Sequence, residues 1–211
     1  MNKRRLFIIG AGGFGRELEV YLDSVKEADR DWDLVGFIDD NINALDSFPS
    51  DYKVLGSLND FIFNKSDYIV LAIANSEIKN KIYELLKDKV TFFTYIDKTA
   101  IVGKFVRIGE GSIICPNCII TSNVKLGLCS ILNIGTQIGH DTKVGDFCSF
   151  MPNVDIGGET IIANNVYMGT NSTIINMKNI CSDVVIGAGA IVVKDINTEG
   201  VYVGNPAVKI K

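Results

Sequence analysis

The feature that most constrains this chain is a period of six in its second half. Stepping by six along that half, all 16 positions are apolar: Val102, Ile108, Ile114, Ile120, Leu126, Leu132, Ile138, Val144, Phe150, Ile156, Ile162, Met168, Ile174, Ile180, Ile186 and Val192. Glycine directly follows eight of them, and a small or β-branched residue stands two places before 15 of the 16. Six residues are too few for a strand and a helix, but they fit one short strand and one corner of a parallel β-helix.

The first 96 residues follow a different pattern. Apolar runs at 6–9, 34–38, 68–74 and 90–95 alternate with helical patterns at 17–25 and 78–86. Strands that alternate with helices at this spacing predict βαβ units. We therefore expect an α/β domain over residues 1–96, with a small Rossmann-like parallel sheet. A β-helix of about five 18-residue coils should follow over residues 97–211.

Composition narrows the choice of partners and compartment. The net charge of −4 argues against a protein that binds phosphodiester backbones, so no nucleic-acid partner is expected. Only four apolar residues follow the basic start of the chain, which is shorter than a signal-peptide core or a membrane span. With five cysteines and no secretory signal, we expect a cytoplasmic protein with free thiols and no membrane partner.

The single histidine, His140, stands two residues after the apolar position Ile138. Gly158 follows 18 residues later, which places it one coil away, at a spacing of about 4.8 Å. An imidazole can take a proton from an attacking amine or hydroxyl, and a nearby backbone N–H can hold an oxyanion. The pair therefore favours acyl transfer from a thioester, although a lone histidine is more often structural. Asp141 either stabilises the imidazolium or is a solvated turn residue.

Three segments carry a resemblance to a known family: 133–141 (NIGTQIGHD), 144–147 (VGDF) and 204–207 (GNPA). They resemble the hexapeptide-repeat sugar acetyltransferases that comprise sialic acid O-acetyltransferases and nucleotide-sugar 4-amino N-acetyltransferases. The resemblance implies a left-handed β-helix, a homotrimer, and acetyl-CoA as co-substrate between adjacent subunits. It also implies that His140 is the base and that Asp141 tunes it. The implied contacts with the coenzyme are Ser149, Gly158, Thr170 and Ala188.

A glycine-rich motif, Gly10-x-Gly12-x-x-Gly15, follows the first predicted strand, and Asp39 and Asp40 end the second. Alone, this pattern favours a dinucleotide-binding fold, with anions held at the helix N-terminus. About 96 residues are few for the two halves of that fold. The family resemblance implies instead a pocket for a nucleotide-linked sugar, formed by Gly12, Gly13, Phe14, Asp39, Asp40, Ala74 and Asn133. The alternative is a docking domain with vestigial glycines.

The pair Cys115 and Cys118 has the C-x-x-C spacing of a redox or zinc site. The hexad register nevertheless places Cys118 two residues before Ile120, at a small inward position. No second pair or nearby histidine completes a ligand set, so we predict packing and no metal.

The leading functional prediction is acetyl-CoA-dependent N-acetylation of a nucleotide-linked 4-amino-deoxysugar. O-acetylation of sialic acid or a related sugar is an open alternative, and so is a non-catalytic trimeric scaffold. The residues themselves do not distinguish an amine from a hydroxyl acceptor, and they do not identify the nucleotide.

Overall fold

A computed structural model describes residues 3–211, which group into two compact units. The first unit comprises the residues up to 73 together with 81–93. The second comprises residues 74–80 and 94–211.

The first unit is α/β, as predicted. Its elements are β1 (Arg4–Ile9), α1 (Gly13–Asp23), a short 3₁₀ turn (Glu27–Asp29), β2 (Trp32–Ile38), β3 (Tyr68–Leu71), α2 (Ser76–Leu86) and β4 (Thr91–Phe92). The first turn of α2 groups with the second unit. The four strands form a parallel sheet in the order β2-β1-β3-β4. Leu6, Phe7 and Ile8 are fully buried in β1, as a strand covered on both faces requires.

The glycine-rich motif brings α1 directly onto the end of β1. Gly10 has φ +100°, a conformation that residues with a Cβ rarely adopt. A Cβ at Gly15 would collide with the carbonyl oxygen of Gly10. These two glycines therefore serve the packing of the helix on the strand.

The second unit is a left-handed β-helix of two-residue rungs. Its strands are β5 (Tyr95–Ile96), β6 (Ile101–Val102), β7 (Arg107–Ile108), β8 (Ile113–Ile114), β9 (Ile119–Ile120), β10 (Lys125–Leu126), β11 (Ile131–Leu132), β12 (Gln137–Ile138), β13 (Lys143–Val144), β14 (Ser149–Phe150), β15 (Asp155–Ile156), β16 (Ile161–Ile162), β17 (Tyr167–Met168), β18 (Thr173–Ile174), β19 (Asn179–Ile180), β20 (Val184–Ile186), β21 (Ile191–Val192), β22 (Gly200–Val203) and β23 (Val208–Lys209). They form three sheets of five, six and eight strands. Parallel partners are 18 residues apart through most of the solenoid, as Gln137 and Asp155 show.

The count of about five coils was too low, because the solenoid has about six. Its eight-stranded sheet begins at β5, before the strict hexads start, and continues into β22 beyond them. The antiparallel strand β23 then pairs with β22. These terminal strands depart from the apolar pattern that was counted.

The hexad pattern describes the interior. Ile138 and Ile156 are 1% exposed, and the small residues two places before each apolar position are buried as well. The buried hydroxyls of Thr136 and Thr142 donate to the carbonyl oxygens of Met151 and Gly157, each 15 residues further along. Small polar residues can therefore face inward without an unsatisfied donor.

The cysteine pair packs in this interior, as predicted. Cys115 and Cys118 are both fully buried. The Cys118 thiol donates to the carbonyl oxygen of Asn133 at 3.2 Å, and burial raises its pKa to about 12. Such a thiol is a poor nucleophile and a poor metal ligand.

Three corners join the rungs, and each is a ladder of residues with left-handed φ between 47° and 73°. We name them by their members. The first corner is Phe105, Asn123, Asp141, Glu159 and Met177; the second is Gly111, Cys129, Phe147, Asn165 and Asp183; the third is Asn117, Gly135, Asn153, Asn171 and Gly189. Asparagine, aspartate and glycine tolerate this conformation best.

No helix within residues 3–211 has the length and apolar character needed to cross a membrane. Both α-helices have 11 residues.

Candidate active site

His140 and Asp141 lie together at the first corner. Nδ1 of His140 is 2.7 Å from Oδ2 of Asp141, and the two side chains are 58% and 48% exposed. Neighbours on a regular strand would point apart, but Asp141 has φ 61° and turns its carboxylate back to the ring. Because the carboxylate accepts, Nδ1 carries the hydrogen and Nε2 is left with its lone pair.

Gly158 lies against the face of this imidazole. A Cβ built on Gly158 would be 2.9 Å from Nε2, 3.0 Å from Cε1 and 3.1 Å from Cδ2 of His140. The backbone N–H of Glu159 donates to the carbonyl oxygen of His140 at 2.7 Å, which fixes the two coils in register. The predicted juxtaposition of His140 and Gly158 is present, and glycine leaves the ring room to occupy this position.

Asp141 has a second partner that the sequence analysis missed. The side-chain amide Nδ2 of Asn123 donates to Oδ1 of Asp141 at 3.0 Å, from the preceding coil. The hydrogen bonds from His140 and then Asn123 lower the pKa of Asp141. The spacing of 18 residues between Asn123 and Asp141 was the signal that could have revealed this pair.

Thr170 and Ala188 lie beside the third corner and not beside the first. They stack on successive coils, where the N–H of Gly189 donates to the carbonyl oxygen of Thr170 at 2.9 Å. Thr170 is half-buried and Ala188 is exposed. Within one chain, the structure therefore places these two predicted coenzyme contacts on a different corner from His140.

Ser149, the remaining predicted coenzyme contact, is fully buried. Its hydroxyl donates to the carbonyl oxygen of Ala74 at 2.8 Å and accepts from Nζ of Lys79 at 2.8 Å. The segment 74–80 thus covers this position of β14.

Lys79 is a buried cation that sequence reasoning did not single out. Its Nζ has three acceptors: the carbonyl oxygens of Cys129 at 2.9 Å and Cys148 at 3.0 Å, and the Ser149 hydroxyl. Its side chain is fully buried, and this burial lowers its pKa to about 7. A lysine in a helical pattern ordinarily predicts a solvated face, so the sequence gave no warning.

In the α/β unit, Gly12 is the N-cap of α1 and Gly13 its first residue; both are exposed, and Phe14 is half-buried. Asp39 has a structural task beside them. Its two carboxylate oxygens accept the backbone N–H groups of Ala11 at 2.7 Å and Asn41 at 2.8 Å. Asp39 therefore ties the glycine loop to the end of β2.

The other predicted substrate residues differ in exposure. Asp40 is exposed, and its Oδ1 accepts the N–H of Leu58 at 3.2 Å. Asn133 is 7% exposed, and its Oδ1 accepts the N–H of Ile134 at 2.7 Å. Both side chains thus already have one backbone partner.

A solenoid of hexads that presents a carboxylate-held histidine at a corner, against a glycine of the next coil, defines a hexapeptide-repeat acyltransferase. Family models agree with both units: residues 5–86 match the PglD N-terminal domain, and residues 135–170 match the bacterial transferase hexapeptide repeat. The chain belongs to the hexapeptide-repeat sugar acetyltransferases.

Relatives of known name or structure support this placement. GDP-perosamine N-acetyltransferase of Escherichia coli O157:H7 is 32% identical over 174 residues, which cover 79% of this chain and 76% of the relative. The acetyltransferase domain of PglB from Neisseria gonorrhoeae FA1090, solved with acetyl coenzyme A, superposes with a TM-score of 0.85 at 26% identity. That match covers 99% of this chain and 100% of the domain. WeeI from Acinetobacter baumannii AYE superposes with a TM-score of 0.83 at 28% identity, with the same coverage.

Proposed function

We propose that this enzyme transfers the acetyl group of acetyl-CoA to the amino group of a nucleotide-linked 4-amino-deoxysugar, with His140 as general base. One observation carries the proposal. The Nδ1 atom of His140 is held by Asp141 while the Nε2 side of the ring meets the backbone of Gly158. The names of the relatives add the substrate class, an amino sugar carried on a nucleotide.

The chemistry follows from the two ring nitrogens. The sugar amine attacks the thioester carbonyl and forms a C–N bond, and Nε2 of His140 takes the proton that the amine loses. The tetrahedral intermediate then breaks its C–S bond, and the same proton can leave with the coenzyme thiolate. Asp141 stabilises the imidazolium that exists between these two steps.

The oxyanion of that intermediate needs a donor close to the base. Among residues 3–211, no backbone carbonyl accepts the N–H of Gly158. This N–H is our candidate donor for the oxyanion.

The coenzyme site requires more than one chain. Thr170 and Ala188 are beside the third corner, whereas His140 is at the first. A homotrimer in which the first corner of one subunit meets the third corner of the next would bring the two sets together. We therefore propose that acetyl-CoA binds between subunits, along Thr170 and Ala188. The buried Ser149 serves this site through its contact with Lys79.

The α/β unit is proposed to bind the nucleoside diphosphate. Gly12 and Gly13 offer backbone at the N-terminus of α1, which favours a pyrophosphate. Asp40 is the more available carboxylate for a ribose or base, since both oxygens of Asp39 already bind backbone groups. Phe14, Ala74 and Asn133 complete the proposed substrate set. The five free cysteines fit a reducing, cytoplasmic compartment.

Acceptor competition tests the proposal directly. The enzyme is given acetyl-CoA with GDP-, UDP- or dTDP-linked 4-amino-deoxysugars, or with free sialic acid, and products are followed by mass spectrometry. One nucleotide-linked amine should be acetylated far faster than free sialic acid, because the nucleotide positions the acceptor. Faster O-acetylation of free sialic acid would favour the O-acetyltransferase alternative.

The role of the α/β unit is tested by Asp40→Ala. This substitution should raise KM for the nucleotide-linked sugar several-fold and leave KM for acetyl-CoA unchanged. Asp39→Asn is its companion, because it disturbs the loop that Asp39 ties together. Equal KM values for the wild type and both variants would return this unit to a docking role.

A further inference from the structure

A ladder of side chains runs along the first corner and ends on the catalytic histidine. Asn123 and Asp141 are 18 residues apart, with φ 58° and 61°. Their backbones are fixed in the same way, since the N–H of Asn123 donates to the carbonyl oxygen of Lys104 and that of Asp141 to Ser122. The two side chains therefore leave equivalent corners of neighbouring coils.

Asn123 and His140 divide the carboxylate of Asp141 between them. Oδ1 accepts from Nδ2 of Asn123 at 3.0 Å, and Oδ2 meets Nδ1 of His140 at 2.7 Å. With one partner on each oxygen, rotation of the carboxylate about its χ2 bond would break one of the two contacts. An exposed carboxylate without the amide would rotate more freely and would hold the imidazole less well.

We propose that Asn123 is a positioning residue for catalysis: it orients Asp141 and, through Asp141, the imidazole of His140. The inference rests on the proposed function of His140 and adds a third member to the pair. Asn123 is not expected to touch either substrate.

The second corner provides an internal reference for this inference. Nδ2 of Asn165 donates to Oδ1 of Asp183 at 3.0 Å, again across 18 residues and with φ 63° and 61°. The residue before Asp183 is Ser182, where the first corner has His140. The Asn-to-Asp ladder is thus a device of the fold, and only at the first corner does it end on a group that can take a proton.

Other charges near the ladder are few. Glu159 occupies the next position of the same corner, and Lys125 and Lys143 are exposed on the strands that follow Asn123 and Asp141. Lys104 precedes Phe105 on the preceding coil. All of these residues remain in the variants below, so differences in titration report the ladder itself.

The first experiment is a double-substitution cycle in steady-state kinetics. Asn123→Ala should lower kcat about three- to tenfold, the usual effect of losing one hydrogen bond to a charged group, with both KM values unchanged. In the Asp141→Ala background, Asn123→Ala should have no further effect, because its only route to His140 is gone. Asn165→Ala carries the same backbone change and should leave kcat unchanged.

Three results would overturn the inference. Asn123→Ala could retain full activity, or it could lose the same factor in the Asp141→Ala background. The loss could also be matched by Asn165→Ala, which would make it a general effect of weakening a corner.

The second experiment does not depend on acetyl transfer. The chain has one histidine, so a single set of imidazole NMR resonances reports the titration of His140. Asn123→Ala should move its midpoint in the same direction as Asp141→Asn and by a smaller amount, whereas Asn165→Ala should leave it in place. An unchanged midpoint in Asn123→Ala would refute positioning. If His140→Ala retains full activity while the midpoints behave as expected, the proposed function fails and the ladder stands.

Discussion

The first and second corners of the solenoid share one backbone and differ in what meets them. At the first corner, Asn123 and Asp141 hold the exposed ring of His140. At the second, Asn165 and Asp183 form the same ladder, and two coils lower the carbonyl oxygen of Cys129 accepts from buried Lys79. The repeat supplies a frame at every corner. A single histidine, with a glycine one coil on, turns one of the frames into a site for proton transfer.

The sharpest test of this comparison replaces the residue that precedes the aspartate at each corner. His140→Ala should lower kcat at least about 10²-fold, because it removes the general base. Ser182→Ala makes the equivalent change at the second corner and should have no effect on kcat. Thermal unfolding should be nearly the same for both, since His140 is mostly exposed. Full activity in His140→Ala would abolish the distinction between the corners.

A methyl group at Gly158 sharpens the comparison further. Its Cβ would be 2.9 Å from Nε2 of His140, so the ring must move, and we expect kcat to fall about tenfold to 10²-fold. Because the ring is the part that yields, the melting temperature should change little. Gly139→Ala gives the opposite result, since its Cβ would meet backbone atoms of Gly157 and Gly158 and destabilise the coil. Wild-type kcat in Gly158→Ala would show that the ring needs no such space.

The second corner has its own signature, which is a pH dependence of stability. Burial lowers the pKa of Lys79 to about 7, whereas the unfolded chain keeps a lysine that binds its proton up to about pH 10.4. The unfolded state then binds more protons above pH 7, so the free energy of unfolding should rise with pH, by about 1 kcal/mol per unit.

Chemical denaturation between pH 7 and 8.5 measures this slope below the range in which thiols titrate. Buried Cys118, Cys129 and Cys148 have raised pKa values and oppose the trend above about pH 8.5. Lys79→Met should flatten the slope, and Lys65→Met, at an exposed position, should not. Equal slopes in all three proteins would mean that Lys79 titrates as an ordinary lysine.

The solenoid and the pairing of His140 with Gly158 could be predicted because a strict period fixes both depth and neighbour. Any residue in the repeat has its partners 18 positions away, so position along the sequence becomes position in space. The same arithmetic would have found Asn123 opposite Asp141, but attention rested on residue types with obvious chemistry. The sixth coil was missed because β5 and β22 lie outside the apolar hexads.

Contacts outside the repeat could not be predicted from the sequence. Lys79 reaches Cys129, Cys148 and Ser149 across 50 to 70 residues, and no period relates these positions. Asp39 was predicted as a ligand group because carboxylates often end the second strand of such folds. Its two bonds to backbone N–H groups depend on the path of the glycine loop, which local sequence does not encode.

The position of the site along the solenoid has a consequence for its durability. Each coil contacts only the coils above and below it, so the array resembles a one-dimensional lattice that frays from its ends. Ile101 and Val102, near the start, are 62% and 40% exposed, whereas Ile138 and Ile156 in the middle are 1% exposed. His140 and Gly158 follow the two central residues, where a nearest-neighbour lattice opens last. Amide hydrogens of these coils should exchange most slowly, and mild heating should melt the terminal coils while the proton-transfer corner stays assembled.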